Sequence, residues 1–73
     1  MMKIEEYVAK TVSIDIAAVL ATLRLLEGGA TIPFISRYRK EATGGLDEVK
    51  IADIATSAAA FEELVKRKET ILN

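Results

Sequence analysis

Residues 33–48 read PFISRYRKEATGGLDE, and this stretch holds signals for the start of one helix, its end, and the start of the next. Pro33 suits the first turn of a helix because its φ is fixed near the helical value and its missing N–H would have no partner there. Gly44 and Gly45 suit a helix end, since a residue without a Cβ adopts positive φ at no steric cost. Asp47 then offers a side-chain oxygen to the free N–H groups of a following helix. The stretch therefore predicts a helix, a tight corner and a second helix.

Apolar residues spaced by three and four predict two further helices before this stretch. The first is predicted over about residues 3–11. The second follows Asp15 as N-cap, with Ser13 as the competing cap, and ends at Gly28 and Gly29.

The third helix is predicted from about Pro33 to Ala42. A strand over residues 31–35 is disfavoured because Pro33 cannot donate to a sheet ladder. At helical spacing one buried face carries Phe34, Ile35, Tyr38 and Ala42.

From Asp47 onward one long helix is predicted, since apolar positions continue at spacings of three and four. No glycine or proline stops the pattern, so the chain is expected to be cut inside this helix. The fold prediction is all-α: one domain over residues 1–73, with about four helices and a long, truncated C-terminal helix. The positions at this spacing form one line, the seam of the last helix, which consists of Ile51, Ile54, Ala58, Phe61, Val65, Lys68 and Leu72.

Composition limits the chemistry that the chain can perform. With 73 residues and neither Cys nor His, it lacks thiolate and imidazole groups, so nearly every zinc or transition-metal site is excluded. A hard metal held by oxygen ligands is the remaining alternative, and the expectation is no metal site and no cofactor. The serines have no histidine to activate them, and no carboxylate pair stands out for acid–base work, so we expect no enzyme. Without a leader-like start or an apolar run of about 18 residues, the protein is expected to be soluble and cytoplasmic, with no membrane contact.

The net charge of −1 is not that of a free-standing nucleic-acid binder, so any such contact must be local. Arg37, Arg39 and Lys40 form the main basic cluster and are the candidate nucleic-acid-binding residues, because guanidinium and ammonium groups contact phosphate oxygens. A second basic group, residues 66–68, is interrupted by acids on both sides.

A structural interpretation competes for the same cluster. Arg37 is spaced to pair with Glu41 on a helix surface, and Arg39 can reach Asp47 or Glu48 around the glycine corner. This structural or interdomain role is favoured for Arg37 and Arg39, while the role of Lys40 stays open. For Tyr38, core packing is favoured over base stacking.

Two segments are more apolar than a lone small domain requires. Residues 16–26 and 51–61 carry few polar side chains, and a helix that is apolar nearly all round is normally buried on several sides. The surplus surface predicts contact with another domain or with a second copy of the chain.

Residues 29–49, GATIPFISRYRKEATGGLDEV, closely resemble the signature near the N-terminus of the Tex family of bacterial transcription accessory proteins. The resemblance implies an N-terminal helical module with helix-turn-helix-like character. Family members continue with a ribonuclease-H-like domain, helix-hairpin-helix elements and an S1 domain that is held to bind nucleic acid. The implied partners are therefore the remaining domains of a full-length protein, and RNA or DNA in that context.

The resemblance and the basic cluster together predict a nucleic-acid-associated scaffold role within a Tex-like transcription accessory protein. The alternative is a protein–protein or self-association module that docks to the missing domains, or forms a homo-oligomer through its apolar helix faces, without touching nucleic acid.

Overall fold

A computed structural model describes residues 2–72 of the chain, with side chains described through Lys66. Over residues 2–72 it contains helices and no strand, so the all-α prediction is confirmed. The described residues form five helices in order: α1 (Ile4–Val12), α2 (Ile16–Glu27), α3 (Ile32–Tyr38), α4 (Lys40–Thr43) and α5 (Glu48–Leu72).

The boundary between α1 and α2 is set by two neighbouring polar residues with different tasks. Asp15 is the N-cap of α2, and its carboxylate accepts a hydrogen bond from the Ala17 N–H at 3.1 Å. Ser13, the competing cap, instead ends α1 with a φ of 57°. The prediction of Asp15 as the cap is confirmed.

The third predicted helix is divided in two, which is a correction to the single helix expected over Pro33–Ala42. Arg39 leaves the helical region with φ −129° and ψ 34°, so α3 ends at Tyr38 and α4 begins at Lys40. The break gives the two pieces different main neighbours, since α3 lies chiefly against α5 and only to a smaller extent against α2, whereas α4 lies against α2.

The predicted buried face of the third helix is right for one residue only. Ile35 is fully buried, as expected, and the buried line continues at Thr43. Phe34, Tyr38 and Ala42 are exposed, so their expected burial is wrong. A seven-residue helix covered on one side has room for few buried positions, and the break at Arg39 shifts the next one to Thr43.

The core lies between α1, α2 and α5. Its fully buried residues are Val8, Val19 and Ile54, joined by the nearly buried Ala58. Ile51, Ile54 and Ala58 confirm the first part of the predicted α5 seam; Phe61 and Val65 are half-buried, and the side chains of Lys68 and Leu72 lie outside the described residues.

The corner before α5 is built as predicted. Gly44 has a φ of 77°, and its N–H donates to the Lys40 carbonyl. Asp47 caps α5, because its Oδ1 accepts a hydrogen bond from the Lys50 N–H at 2.8 Å. Within residues 2–72, no helix has the length and apolar character that a bilayer span requires.

Candidate nucleic-acid interface

Helix α3 is held in place at its start and along its inner side. Thr31 is the N-cap, and its hydroxyl oxygen accepts a hydrogen bond from the Phe34 N–H at 3.3 Å. Pro33 lies in the first turn, where an N–H group would have no acceptor within the helix, so its missing N–H costs no hydrogen bond. Ile35 is buried on the inner side, so the opposite side of this short helix faces solvent.

Two aromatic rings lie on that solvent side, one turn apart. The ring centroids of Phe34 and Tyr38 are 5.3 Å apart and the ring planes are inclined by 48°. Tyr38 is 60% exposed and Phe34 is 40% exposed. The favoured sequence interpretation, in which Tyr38 packs into the core, is therefore wrong: one turn of spacing keeps Tyr38 beside Phe34, and both stay outside the core.

Arg39 lies against this aromatic pair. Its guanidinium carbon is 5.4 Å from the centre of the Phe34 ring, within the range of a cation–π contact. Its Nη1 donates a hydrogen bond to the Tyr38 carbonyl at 3.2 Å. Arg39 thus contacts α3 rather than Asp47 or Glu48, the partners that the structural interpretation predicted.

Arg37 and Lys40 are both exposed, on either side of Tyr38 and Arg39 in the chain. Among the side chains of residues 2–66, no ion pair joins Arg37 to Glu41. The pair expected for Arg37 within the domain therefore does not form among these side chains, and an interdomain role for Arg37 stays a prediction. We refer to Phe34, Arg37, Tyr38, Arg39 and Lys40 as the aromatic-basic patch.

From the sequence, the cations of this patch are candidates for a site, while Phe34 and Tyr38 are expected on the buried face and base stacking by Tyr38 is the less favoured alternative. A shallow hollow beside Phe34, lined also by residues 28–31, extends the same surface to the turn between α2 and α3. The sequence feature that indicates an exposed aromatic surface is the pair of aromatic residues, four positions apart, next to three cations. This feature does not decide between exposure and burial, because the same spacing is typical of a buried helix face.

Comparison with known proteins identifies the family. The family described as Tex-like protein N-terminal domain matches residues 2–73. The chain belongs to this family. The resemblance found in residues 29–49 is thereby confirmed and extends over nearly the whole chain.

Three relatives illustrate the relationship of this Tex-like domain to longer proteins. The transcriptional accessory protein Tex of Neisseria gonorrhoeae is 41% identical over 97% of the chain, which covers 9% of that protein. An uncharacterised protein of Neisseria meningitidis is 42% identical with the same coverage of both chains. Protein tex of Bordetella pertussis is 43% identical over 74% of the chain and 7% of its own length. No solved structure matches the chain significantly.

The Tex-like domain also has a groove between α1, α2 and α5. Its apolar lining residues include Ile4, Leu20, Leu23 and Leu26. Its lining also includes Glu5, Arg24, Glu27 and Glu62. Part of the surplus apolar surface predicted for residues 16–26 and 51–61 lines this groove. Ile16 lies outside the groove and is 45% exposed.

Proposed function

We propose that this Tex-like domain is a helical scaffold of a transcription accessory protein and contacts nucleic acid through Arg37, Arg39 and Lys40. The observation that carries the proposal is the exposure of all three cations on one short segment, with no carboxylate paired to them among the described side chains. Unpaired guanidinium and ammonium groups keep their hydrogen-bond donors available for phosphate oxygens.

The contact is proposed to be local and sensitive to salt. A net charge of −1 gives no long-range attraction for a polyanion, so binding depends on the three cations of the patch. For three phosphate contacts on a single strand, the logarithm of the binding constant falls with the logarithm of salt concentration at a slope of about −2.

The test is a fluorescence-anisotropy titration of the 73-residue chain with labelled oligonucleotides of about 12 units, single-stranded and duplex, between about 50 and 200 mM salt. The variant Arg37→Gln/Arg39→Gln/Lys40→Gln should lose binding at low salt. The control variant Lys3→Gln/Lys10→Gln/Lys50→Gln changes the net charge equally at exposed positions elsewhere and should retain binding. Absence of wild-type binding at low salt, or equal losses in both variants, would eliminate the proposal.

A second candidate function is supported by the apolar groove between α1, α2 and α5. The chain spans about a tenth of the length of the relatives above, and such a groove provides a surface for docking onto the rest of a longer protein or onto a second copy. Sedimentation velocity over a range of concentrations tests whether the groove binds a second copy. Association that Leu23→Gln abolishes indicates a second copy in the groove. A folded monomer at every concentration rejects self-association.

Three further assignments belong to the same proposal. The domain has no catalytic activity of its own, since the chain contains no histidine and the hydroxyl of Ser36 donates to the Pro33 carbonyl in its own helix. It has the helix-turn-helix-like character that the family resemblance implies. It acts in the cytoplasm, where bacterial transcription takes place.

A further inference from the structure

We infer that the aromatic-basic patch binds single-stranded nucleic acid by stacking an unpaired base on Tyr38, with Arg39 contacting the adjacent phosphate. The inference rests on the proposed function and names its ligand. It starts from the exposure of Tyr38, the more exposed residue of the aromatic pair.

The two rings of the patch have different tasks. Phe34 has the Arg39 guanidinium 5.4 Å from its ring centre and Tyr38 beside it, so much of its ring is already in contact. Tyr38 lies at the end of α3, where the helix breaks, and 60% of its surface is open. Phe34 therefore supports the patch, and Tyr38 supplies the free aromatic surface.

Arg39 is positioned before any ligand arrives. Its guanidinium is held by the Phe34 ring and by the hydrogen bond from Nη1 to the Tyr38 carbonyl. A guanidinium carries five N–H donors, so this single hydrogen bond leaves donors for a phosphate. A stacking ring with a fixed cation next to it is the combination by which proteins hold unpaired nucleotides.

This arrangement discriminates between single strands and duplexes. In a duplex the faces of the bases are covered by their neighbours in the stack, so phosphates and base edges are available to the patch but no base face is. In a single strand a base can leave the stack and lie on an aromatic ring. Loss of one such ring weakens single-strand binding by about 5- to 150-fold.

The experiment compares the wild-type 73-residue chain with Tyr38→Ala, Tyr38→Phe and Val49→Ala, using a labelled oligothymidylate and a mixed-sequence duplex of equal length. Val49 is 67% exposed and lies outside the patch, so Val49→Ala controls for loss of exposed apolar surface. Tyr38→Ala should weaken single-strand binding at least 5-fold and leave duplex binding within about 2-fold. Tyr38→Phe and Val49→Ala should bind both probes as the wild type does.

A direct optical test is available because the chain contains no tryptophan. In Tyr38→Trp the indole is the sole one in the protein, and its fluorescence should be quenched by the single strand and remain unchanged by the duplex. Circular dichroism of each variant verifies that the helices are retained.

The outcomes separate this inference from the proposed function. If the wild type binds both probes with equal affinity and Tyr38→Ala does not change it, the stacking inference is overturned. The proposed phosphate contacts are not affected by that result. Binding of neither probe at low salt overturns the proposed function as well. Equal weakening of both probes by Tyr38→Ala also overturns the stacking inference.

Discussion

Tyr7 of α1 and Phe61 of α5 lie with ring centroids 5.2 Å apart and planes inclined by 48°, almost the same geometry as Phe34 and Tyr38. The two pairs differ in their place in the fold. Tyr7 and Phe61 are half-buried and join two helices that are distant in the sequence, whereas Phe34 and Tyr38 lie on one exposed helix. The first pair therefore stabilises the fold, and the second is available for binding.

A double-mutant cycle tests the structural role of the Tyr7–Phe61 pair. Tyr7→Leu, Phe61→Leu and the double variant should show a coupling of about 0.5–1.5 kcal/mol in the free energy of unfolding, since tilted aromatic pairs contribute this much beyond area burial. Urea unfolding followed by circular dichroism measures it. The same cycle on Phe34 and Tyr38 should give a smaller coupling because both rings are exposed; equal couplings would contradict the distinction.

The hydroxyl of Thr43 is expected to stabilise the corner between α4 and α5. Thr43 is almost fully buried, and its Oγ1 accepts a hydrogen bond from the Leu46 N–H at 3.3 Å. Thr43→Val keeps the shape but leaves that N–H without its acceptor, so it should lower the free energy of unfolding by about 1–3 kcal/mol. Thr43→Ser keeps the hydroxyl and should destabilise less. Equal stability of Thr43→Val and wild type in urea would reject this role.

Adjacent glycines in the α2–α3 turn should respond differently to the same substitution. Gly29 has a φ of 96°, where a Cβ is strained, so Gly29→Ala should destabilise by about 1–2 kcal/mol. Gly28 has a φ of −75°, and an added Cβ would meet only ordinary contacts at 3.5 Å. Gly28→Ala should therefore be neutral or stabilise by up to about 1 kcal/mol. Thermal unfolding of the two variants provides the comparison, and a larger loss at Gly28 would be inconsistent with the backbone geometry.

A conservative substitution separates buried from exposed positions on α5. Ile54 is fully buried between α1, α2 and α5, so Ile54→Val should cost about 0.5–1.5 kcal/mol of unfolding free energy. Val49 on the first turn is 67% exposed, and Val49→Ala should change stability by less than about 0.5 kcal/mol. Chemical denaturation measures both changes, and a reversed order would contradict the assignment of the core.

Local signals explain why most of the helix boundaries could be predicted. Asp15, Gly44 and Asp47 act on backbone groups within a few residues, so their roles follow from residue type and spacing. The exposure of Arg37, Arg39 and Lys40 follows from their charge, and their assignment to a nucleic-acid site stays a prediction. The break at Arg39 could not be predicted, because Arg39 is an ordinary helix former and its dihedral angles depend on which helices lie beside α3 and α4.

By itself, the sequence determined the all-α class, the caps and glycine ends, and the family, because each depends on residues close together in the chain. Only the tertiary structure decided which face of α3 is covered, since this depends on α5, which is formed by residues further along the chain. That packing buries Ile35 and leaves Phe34 and Tyr38 in solvent next to Arg39. Helical periodicity is the same for a face that meets the core and a face that meets a ligand, so the distinction required the positions of the neighbouring helices.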